Sequence, residues 1–150
     1  ASTLKVVTNY LASINLLALG EALMVCKKYG LDLTTSYHGI KISSGNSFVH
    51  ETESKVILNG SYDVGFTMDL VCKDVGLFDR LTDKFNIPAD ISKLMKKIFD
   101  EGKNKYGTRS LSTSIVKRIE DYCELSLRAP GFPDRLLDTD KKKKGIEIKF

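Results

Sequence analysis

The protein is 150 residues long, with 42% hydrophobic residues, 28% charged residues and a formal net charge of +4. These values are typical of one soluble globular domain, and they exclude a disordered or collagenous chain. Four of the positive charges lie together at 141–144, so the rest of the chain is about neutral. We therefore expect no nucleic-acid partner.

The first predicted element is one long helix over residues 3–29. It contains no proline, and it ends with two lysines before Gly30, a typical helix C-terminus. Its apolar residues lie on almost every side, which predicts a central helix with the others packed around it. The stretch 6–26 also has the length of a membrane span, but its Asn, Ser and Glu side chains favour a buried helix over that alternative.

Shorter helices are predicted after Gly30, and no convincing strand pair accompanies them. Apolar residues recur at three- and four-residue spacing in the later segments, and Pro88 is typical of a helix start. The predicted helices cover residues 34–43, 48–59 (weakly), 67–85, 88–105 and 111–127. The expected fold class is all-α.

The last part of the chain departs from this pattern. Residues 129–150 begin with Ala-Pro-Gly-Phe-Pro, which predicts an irregular extension after a helical domain at 1–128. The alternation of apolar residues at 146, 148 and 150 is also compatible with a short edge strand or with packing on a partner.

The three cysteines, Cys26, Cys72 and Cys123, are far apart and form no C-x-x-C pair. This spacing argues against both a disulfide framework and a zinc site, so we expect no metal and a reducing compartment. The cytoplasm is the expected location, with the mitochondrial matrix as the alternative. The two histidines, His38 and His50, lack partners at metal-ligand spacing and are interpreted as structural or surface residues.

The glycines never occur in a G-x-G arrangement, so neither a dinucleotide-binding fingerprint nor a phosphate loop is present in this sequence. The informative pair is Lys5 and Asn9, which share one face of the first helix because they are one turn apart. An ammonium can exchange a proton with a substrate oxygen, and a carboxamide can both donate and accept hydrogen bonds. Taken alone, the pair is more typical of a solvated helix start than of an active site, because a lysine near a helix start is usually exposed to water.

Several segments, taken in order, resemble the C-terminal domain of the β-hydroxyacid dehydrogenases, which include the 3-hydroxyisobutyrate dehydrogenases. Residues 5–32 contain K-V-V-T-N, G-E-A-L and Y-G-L-D, residues 43–45 are S-S-G, and residues 65–77 contain G-F and K-D-V-G-L. The resemblance covers about residues 4–120. It implies a helical domain like the C-terminal domain of 6-phosphogluconate dehydrogenase, built around one long central helix.

The resemblance also implies site residues. Lys5 would be the catalytic acid or base, Asn9 and Phe66 would bind the substrate, and Lys73 would contact the cofactor. Thr8 departs from the family, which has an asparagine there, and this leaves the orientation of the substrate open.

By resemblance, the chain is the catalytic and dimerisation domain of an NAD(P)-dependent oxidoreductase that interconverts a small β-hydroxyacid and its semialdehyde or keto acid. NAD or NADP would be held mainly by an N-terminal Rossmann domain that residues 1–150 do not contain, so we expect the isolated chain to be inactive. A homodimer or tetramer without membrane contact is expected. The alternative is a non-catalytic helical interaction module whose basic tail binds an acidic partner.

Overall fold

The structure is a computed structural model that describes residues 2–136, and within this range the chain is helical. The elements are α1 (Thr3–Tyr29), α2 (Leu33–Lys41), α3 (Phe48–Asn59), α4 (Met68–Lys84), α5 (Asp90–Tyr106), a 3-10 helix (Ser112–Val116) and α6 (Lys117–Cys123). Among the described residues, β-type pairing is limited to one antiparallel bridge between Thr67 and Leu111. The prediction of an all-α fold is confirmed.

Helix α1 packs against every other helix, which confirms its central position. Gly30 ends it in the left-handed region at φ 87°, where its N–H donates to the carbonyls of Cys26 and Lys27. The other helices do not cover α1 completely, because its residues Leu11 and Val25 are 50% and 68% exposed. By length and composition α1 could also cross a membrane, a test that core helices of soluble proteins pass as well.

The core is formed by one side of α1 and by buried residues from the helices around it. Its largest contribution beside α1 comes from α4 and α5. Fully buried Met68, Met95 and Phe99 fill the space between these helices. Tyr10 of α1 also stacks on Phe78 of α4, with ring centroids 3.8 Å apart. This packing holds the N-terminal half of α1 and the first turns of α4 side by side.

The predicted continuous helix over 111–127 is wrong. The segment begins as a 3-10 helix, and α6 ends before Glu124, whose φ of 52° is left-handed. The carboxylate of Glu120 accepts hydrogen bonds from the Leu127 N–H at 2.7 Å and from Arg128 at 2.9 Å. Because this carboxylate binds the chain directly after α6, the backbone turns back and Leu127 becomes fully buried.

The chain stays attached to the helical body beyond residue 128. The Ala129 N–H donates to the Leu58 carbonyl at 3.0 Å, and Asn59 Nδ2 donates to the Phe132 carbonyl at 2.9 Å. The Phe132 ring lies edge-on to Tyr37 of α2, 5.1 Å between centroids. The lysine run at 141–144 and the alternation at 146–150 lie outside the described residues.

Candidate active site

A cleft of about 310 Å³ opens beside the N-terminal half of α1. Its walls come from α1, α3, the start of α4 and the 3-10 helix. The polar or aromatic side chains that line it are Lys5, Asn9, Ser13, Glu53, Phe66, Asp74 and Ser112, and the rest of the lining is apolar. The cleft therefore combines several chemically different groups on a rigid helical frame.

Lys5 and Asn9 lie in this cleft as successive polar residues on one face of α1. Ala12 and Leu16 continue the same face and line the cleft without filling it. Within the described part of the chain, Lys5 makes no ion pair, and its side chain is exposed at the rim. The ammonium is thus available to a molecule in the cleft.

The amide of Asn9 is held by a carboxylate from another helix. Asn9 Nδ2 donates to Asp74 Oδ2 at 2.7 Å, and both side chains are partly buried. This hydrogen bond uses one amide proton and leaves Oδ1 and the second proton for other partners. Sequence reasoning assigned no site role to Asp74, because its closeness to Asn9 depends on the packing of α4 against α1.

Phe66 and Ser112 meet through a short pairing of two backbone segments, which we call the backbone clasp and define as residues 66–68 with 110–112. The Ser112 N–H donates to the Phe66 carbonyl at 2.8 Å, and the Met68 N–H donates to the Ser110 carbonyl at 2.7 Å. The Phe66 side chain is 36% exposed at the rim of the cleft. The clasp therefore places an aromatic ring and a serine on one wall.

Glu53 is a cleft residue that sequence reasoning missed. It follows Val49 by four positions and precedes Val56 and Ile57 by three and four, so it lies on the buried face of α3. Its Oε2 atom is shielded from solvent and has no hydrogen-bond partner among the described residues. Burial raises the pKa of this carboxyl to about 7. The sequence did contain a signal for this site: Glu53 is acidic, but it occupies a position where the helical repeat otherwise has apolar residues.

Comparisons with known proteins identify the family of the chain. Residues 1–119 match the family described as the NAD-binding domain of NADP-dependent 3-hydroxyisobutyrate dehydrogenase. The chain belongs to this family.

Named relatives of this 3-hydroxyisobutyrate dehydrogenase domain are also hydroxyacid dehydrogenases. The chain is 32% identical over 124 residues to 2-(hydroxymethyl)glutarate dehydrogenase of Eubacterium barkeri. This match covers 82% of the chain and 41% of the relative. The chain is 25% identical over 116 residues to L-threonate dehydrogenase of Haemophilus influenzae, with coverages of 77% and 38%. The chain thus spans about two fifths of the length of these relatives.

Solved structures support the same fold. A 3-hydroxyisobutyrate dehydrogenase from Salmonella typhimurium superposes with a TM-score of 0.71 at 24% identity, covering 78% of this chain and 41% of that one. At this identity the likeness concerns the fold alone. The predicted resemblance to the β-hydroxyacid dehydrogenases and the predicted helical domain are both confirmed.

Two positions singled out by the family resemblance lie apart from the cleft. Thr8 is exposed, and its hydroxyl donates back to the Lys5 carbonyl at 2.9 Å, so this side chain is bonded to its own helix. Lys73 is exposed on α4 and is not part of the cleft lining in the described structure. Its contact with the cofactor stays a prediction.

His50 lies in the middle of a different, buried hydrogen-bond chain. Its Nε2 is 2.9 Å from the Tyr37 carbonyl and its Nδ1 is 2.8 Å from Ser54 Oγ. Burial lowers the pKa of the imidazole. Both ring nitrogens are engaged by α2 and α3, so this histidine joins two helices, as expected of a structural residue.

The cleft fits only part of a nicotinamide dinucleotide. Its volume is at the lower end of the range for small-molecule pockets, about 300–1,000 Å³. Lys5 and Phe66 at the open rim suit a small acid and the edge of a nicotinamide ring. The described residues contain no glycine-rich turn at a helix N-terminus that would cradle the pyrophosphate. The described residues therefore do not offer this kind of cradle for the cofactor phosphates.

Proposed function

We propose that this chain is the C-terminal catalytic domain of an NAD(P)-dependent dehydrogenase that interconverts a small β-hydroxyacid and its semialdehyde or keto acid. The observation that carries the proposal is the shared cleft of Lys5, Asn9 and Phe66, in which Asp74 orients the Asn9 amide. Family membership and the hydroxyacid dehydrogenases among the relatives support it.

Lys5 acts on the substrate oxygen. In the oxidation direction, its neutral amine accepts the proton of the hydroxyl group; in reduction, the ammonium donates a proton to the carbonyl oxygen. A nicotinamide, when bound, exchanges a hydride with the carbon that carries this oxygen.

Asn9 and Phe66 bind and orient the substrate. The Asn9 amide, fixed by Asp74, offers one acceptor and one donor to the polar groups of the acid. The Phe66 ring at the rim covers the side of the reacting carbon and limits the access of water. These contacts keep the reacting oxygen close to Lys5 Nζ.

The remaining parts of the enzyme are also proposed. An N-terminal Rossmann domain would hold the cofactor phosphates, and a homodimer or tetramer in a reducing compartment would be the assembled form. Exposed apolar side chains on α1, including Leu4, Leu11 and Val25, support a further protein surface against this helix. The alternative, a non-catalytic interaction module, does not account for a lysine and an oriented amide in one cleft.

Single-turnover hydride transfer in the full-length enzyme tests the proposal, with saturating cofactor and a panel of β-hydroxyacids. Lys5→Met keeps the aliphatic stem and removes the amine, and we expect a rate loss of about 10²- to 10⁴-fold. Lys41→Met, an exposed lysine on α2, is the matched control and should keep the wild-type rate. A Lys5→Met variant with most of the wild-type rate would show that Lys5 is a surface lysine and favour the interaction module.

A further inference from the structure

Among the described residues, two acidic side chains line the cleft, and Glu53 is the one without a protein partner. Its neighbour in the lining, Asp74, is occupied by Asn9, whereas Glu53 Oε2 is closed off from solvent and accepts no hydrogen bond within residues 2–136. Buried polar atoms are almost always paired, so a carboxyl oxygen left unpaired beside a cleft needs an explanation. A hydrogen-bonding group of a bound molecule would supply one.

We propose that Glu53 is a specificity-determining residue that binds a neutral hydroxyl substituent of the substrate, so the enzyme prefers β-hydroxyacids with a second hydroxyl group over those with an alkyl substituent. This inference rests on the proposed dehydrogenase function and names the substrate class of the same cleft. Nothing in the roles of Lys5, Asn9 or Phe66 requires a carboxyl group at position 53.

The chemistry of the cleft selects among possible substituents. An alkyl group would leave Oε2 unpaired. A second carboxylate would lie against the Glu53 carboxyl. An ammonium would pair only with the ionised carboxyl, which is the form that burial disfavours. A hydroxyl group is neutral and both donates and accepts, so it satisfies the carboxyl oxygen without a charge conflict.

The position of Glu53 on α3 strengthens the assignment. Its flanking residues Val49, Val56 and Ile57 are 4%, 0% and 0% exposed, so the helix backbone that carries it is fixed by the core. Burial raises the pKa of the carboxyl to about 7, so near neutral pH both its protonated and its ionised form are populated, and either form hydrogen-bonds a hydroxyl group.

Four acids that differ only at the second carbon provide the test. They are 2,3-dihydroxypropanoate, 3-hydroxy-2-methylpropanoate, serine and hydroxymethylmalonate, which carry a hydroxyl, a methyl, an ammonium and a second carboxylate there. The measurement is kcat/KM for each acid with the full-length wild-type enzyme and with Glu53→Leu, Glu53→Met and Glu53→Gln. The second apolar variant guards against a folding defect in the first.

We expect wild type to prefer the dihydroxy acid to the methyl acid, and Glu53→Leu or Glu53→Met to lower that preference at least tenfold. Activity on the methyl acid should be kept or increased, which shows that the variants fold. Glu53→Gln should keep most of the preference, because an amide also donates and accepts.

Three results would overturn the inference while leaving the dehydrogenase function intact. They are an unchanged preference in both apolar variants, a wild-type preference for the methyl acid, and a wild-type preference for serine or hydroxymethylmalonate. If wild type oxidised none of a wide panel of β-hydroxyacids and Lys5→Met changed nothing, the proposed function itself would fail, and the inference with it.

Discussion

Asn9 of α1 and Asp74 of α4 are 65 positions apart in the sequence and are joined by a hydrogen bond of 2.7 Å from Nδ2 to Oδ2. Because the acceptor is a carboxylate, the amide is oriented with its nitrogen towards α4, and Oδ1 faces away from that partner. The contact thus converts the packing of two helices into a defined orientation of a polar group in the cleft. In the proposed function, Asp74 is therefore a positioning residue that acts through Asn9.

Asp74→Ala should raise KM for the hydroxyacid more than it lowers kcat, because the Asn9 amide loses its fixed orientation. We expect kcat/KM to fall about ten- to a hundredfold. Asp74→Asn, which can still accept the hydrogen bond, should restore part of the loss. Asp83→Ala, on the exposed side of α4, is the control. The measurement is steady-state kinetics of both variants. The same kcat and KM for Asp74→Ala and Asp83→Ala would argue against the positioning role.

Lys73→Ala tests the residue that the cleft does not include. If the family resemblance holds at this position, KM for NAD or NADP should rise several-fold with little change in kcat at saturating cofactor, since a charge contact is lost away from the reacting atoms. Lys84→Ala, another exposed lysine on α4, serves as the comparison. Equal cofactor KM values for the two variants would remove Lys73 from the site.

The stability of the protein should depend on pH through Glu53. Its pKa is raised from the ordinary 4.5 to about 7, so between these values the folded state binds more protons than the unfolded state. Stability should therefore fall as pH rises from about 4.5 to 7. The other ionisable side chains that line the cleft are Lys5 and Asp74, and both are present in every variant compared.

Glu53→Gln removes this dependence, because the amide does not ionise. At pH 8 we expect the variant to exceed wild type by roughly 2–3 kcal/mol in unfolding free energy, with a much smaller difference at pH 4.5. Urea denaturation at both pH values measures the change. Glu101→Gln, at an exposed position of α5, should show no such pH-dependent gain, and a gain equal to that of Glu53→Gln would contradict the assignment.

Two glycines that end helices should respond differently to alanine. Gly30 and Gly60 have φ values of 87° and 92°, so alanine is strained by about 1–2 kcal/mol at either position. At Gly30 the added Cβ meets nothing within 4 Å, whereas at Gly60 it would collide with the Arg128 side chain. Arg128 binds Glu120 and the hydroxyl of Tyr62, so its displacement breaks further hydrogen bonds.

Both variants share the backbone strain, but Gly60→Ala should lower the free energy of unfolding further than Gly30→Ala does. We expect the difference between them to be about 1 kcal/mol or more. Chemical denaturation of the two variants in parallel gives the difference. If both lost the same free energy, the contact between Gly60 and Arg128 would carry no energetic weight.

The local part of the fold could be predicted from the sequence. The absence of proline and the terminal Gly30 predicted α1, and the spacing of Val71, Val75 and Phe78 predicted α4, because these signals act within a few turns of one helix. The break at Glu124 could not be predicted, since it depends on a carboxylate that binds backbone arriving from beyond the helix.

The candidate site divides in the same way. Lys5 and Asn9 could be placed on one face because both belong to α1, and one helical turn relates them. Asp74 and Glu53 reach the cleft from α4 and α3, so their contribution depends on how three helices pack. A charged residue among buried positions of α3 was visible in the sequence, but only the folded structure shows that it borders a cleft.

The backbone clasp between 66–68 and 110–112 holds one wall of the cleft together through main-chain hydrogen bonds. Replacing side chains on this wall does not remove those bonds, so the shape of the wall should persist while its chemistry changes. Relatives with this frame can consequently diverge towards new acids by single replacements at positions such as Glu53 or Phe66. The same property makes the domain a practical scaffold for redesigning substrate preference without rebuilding the backbone.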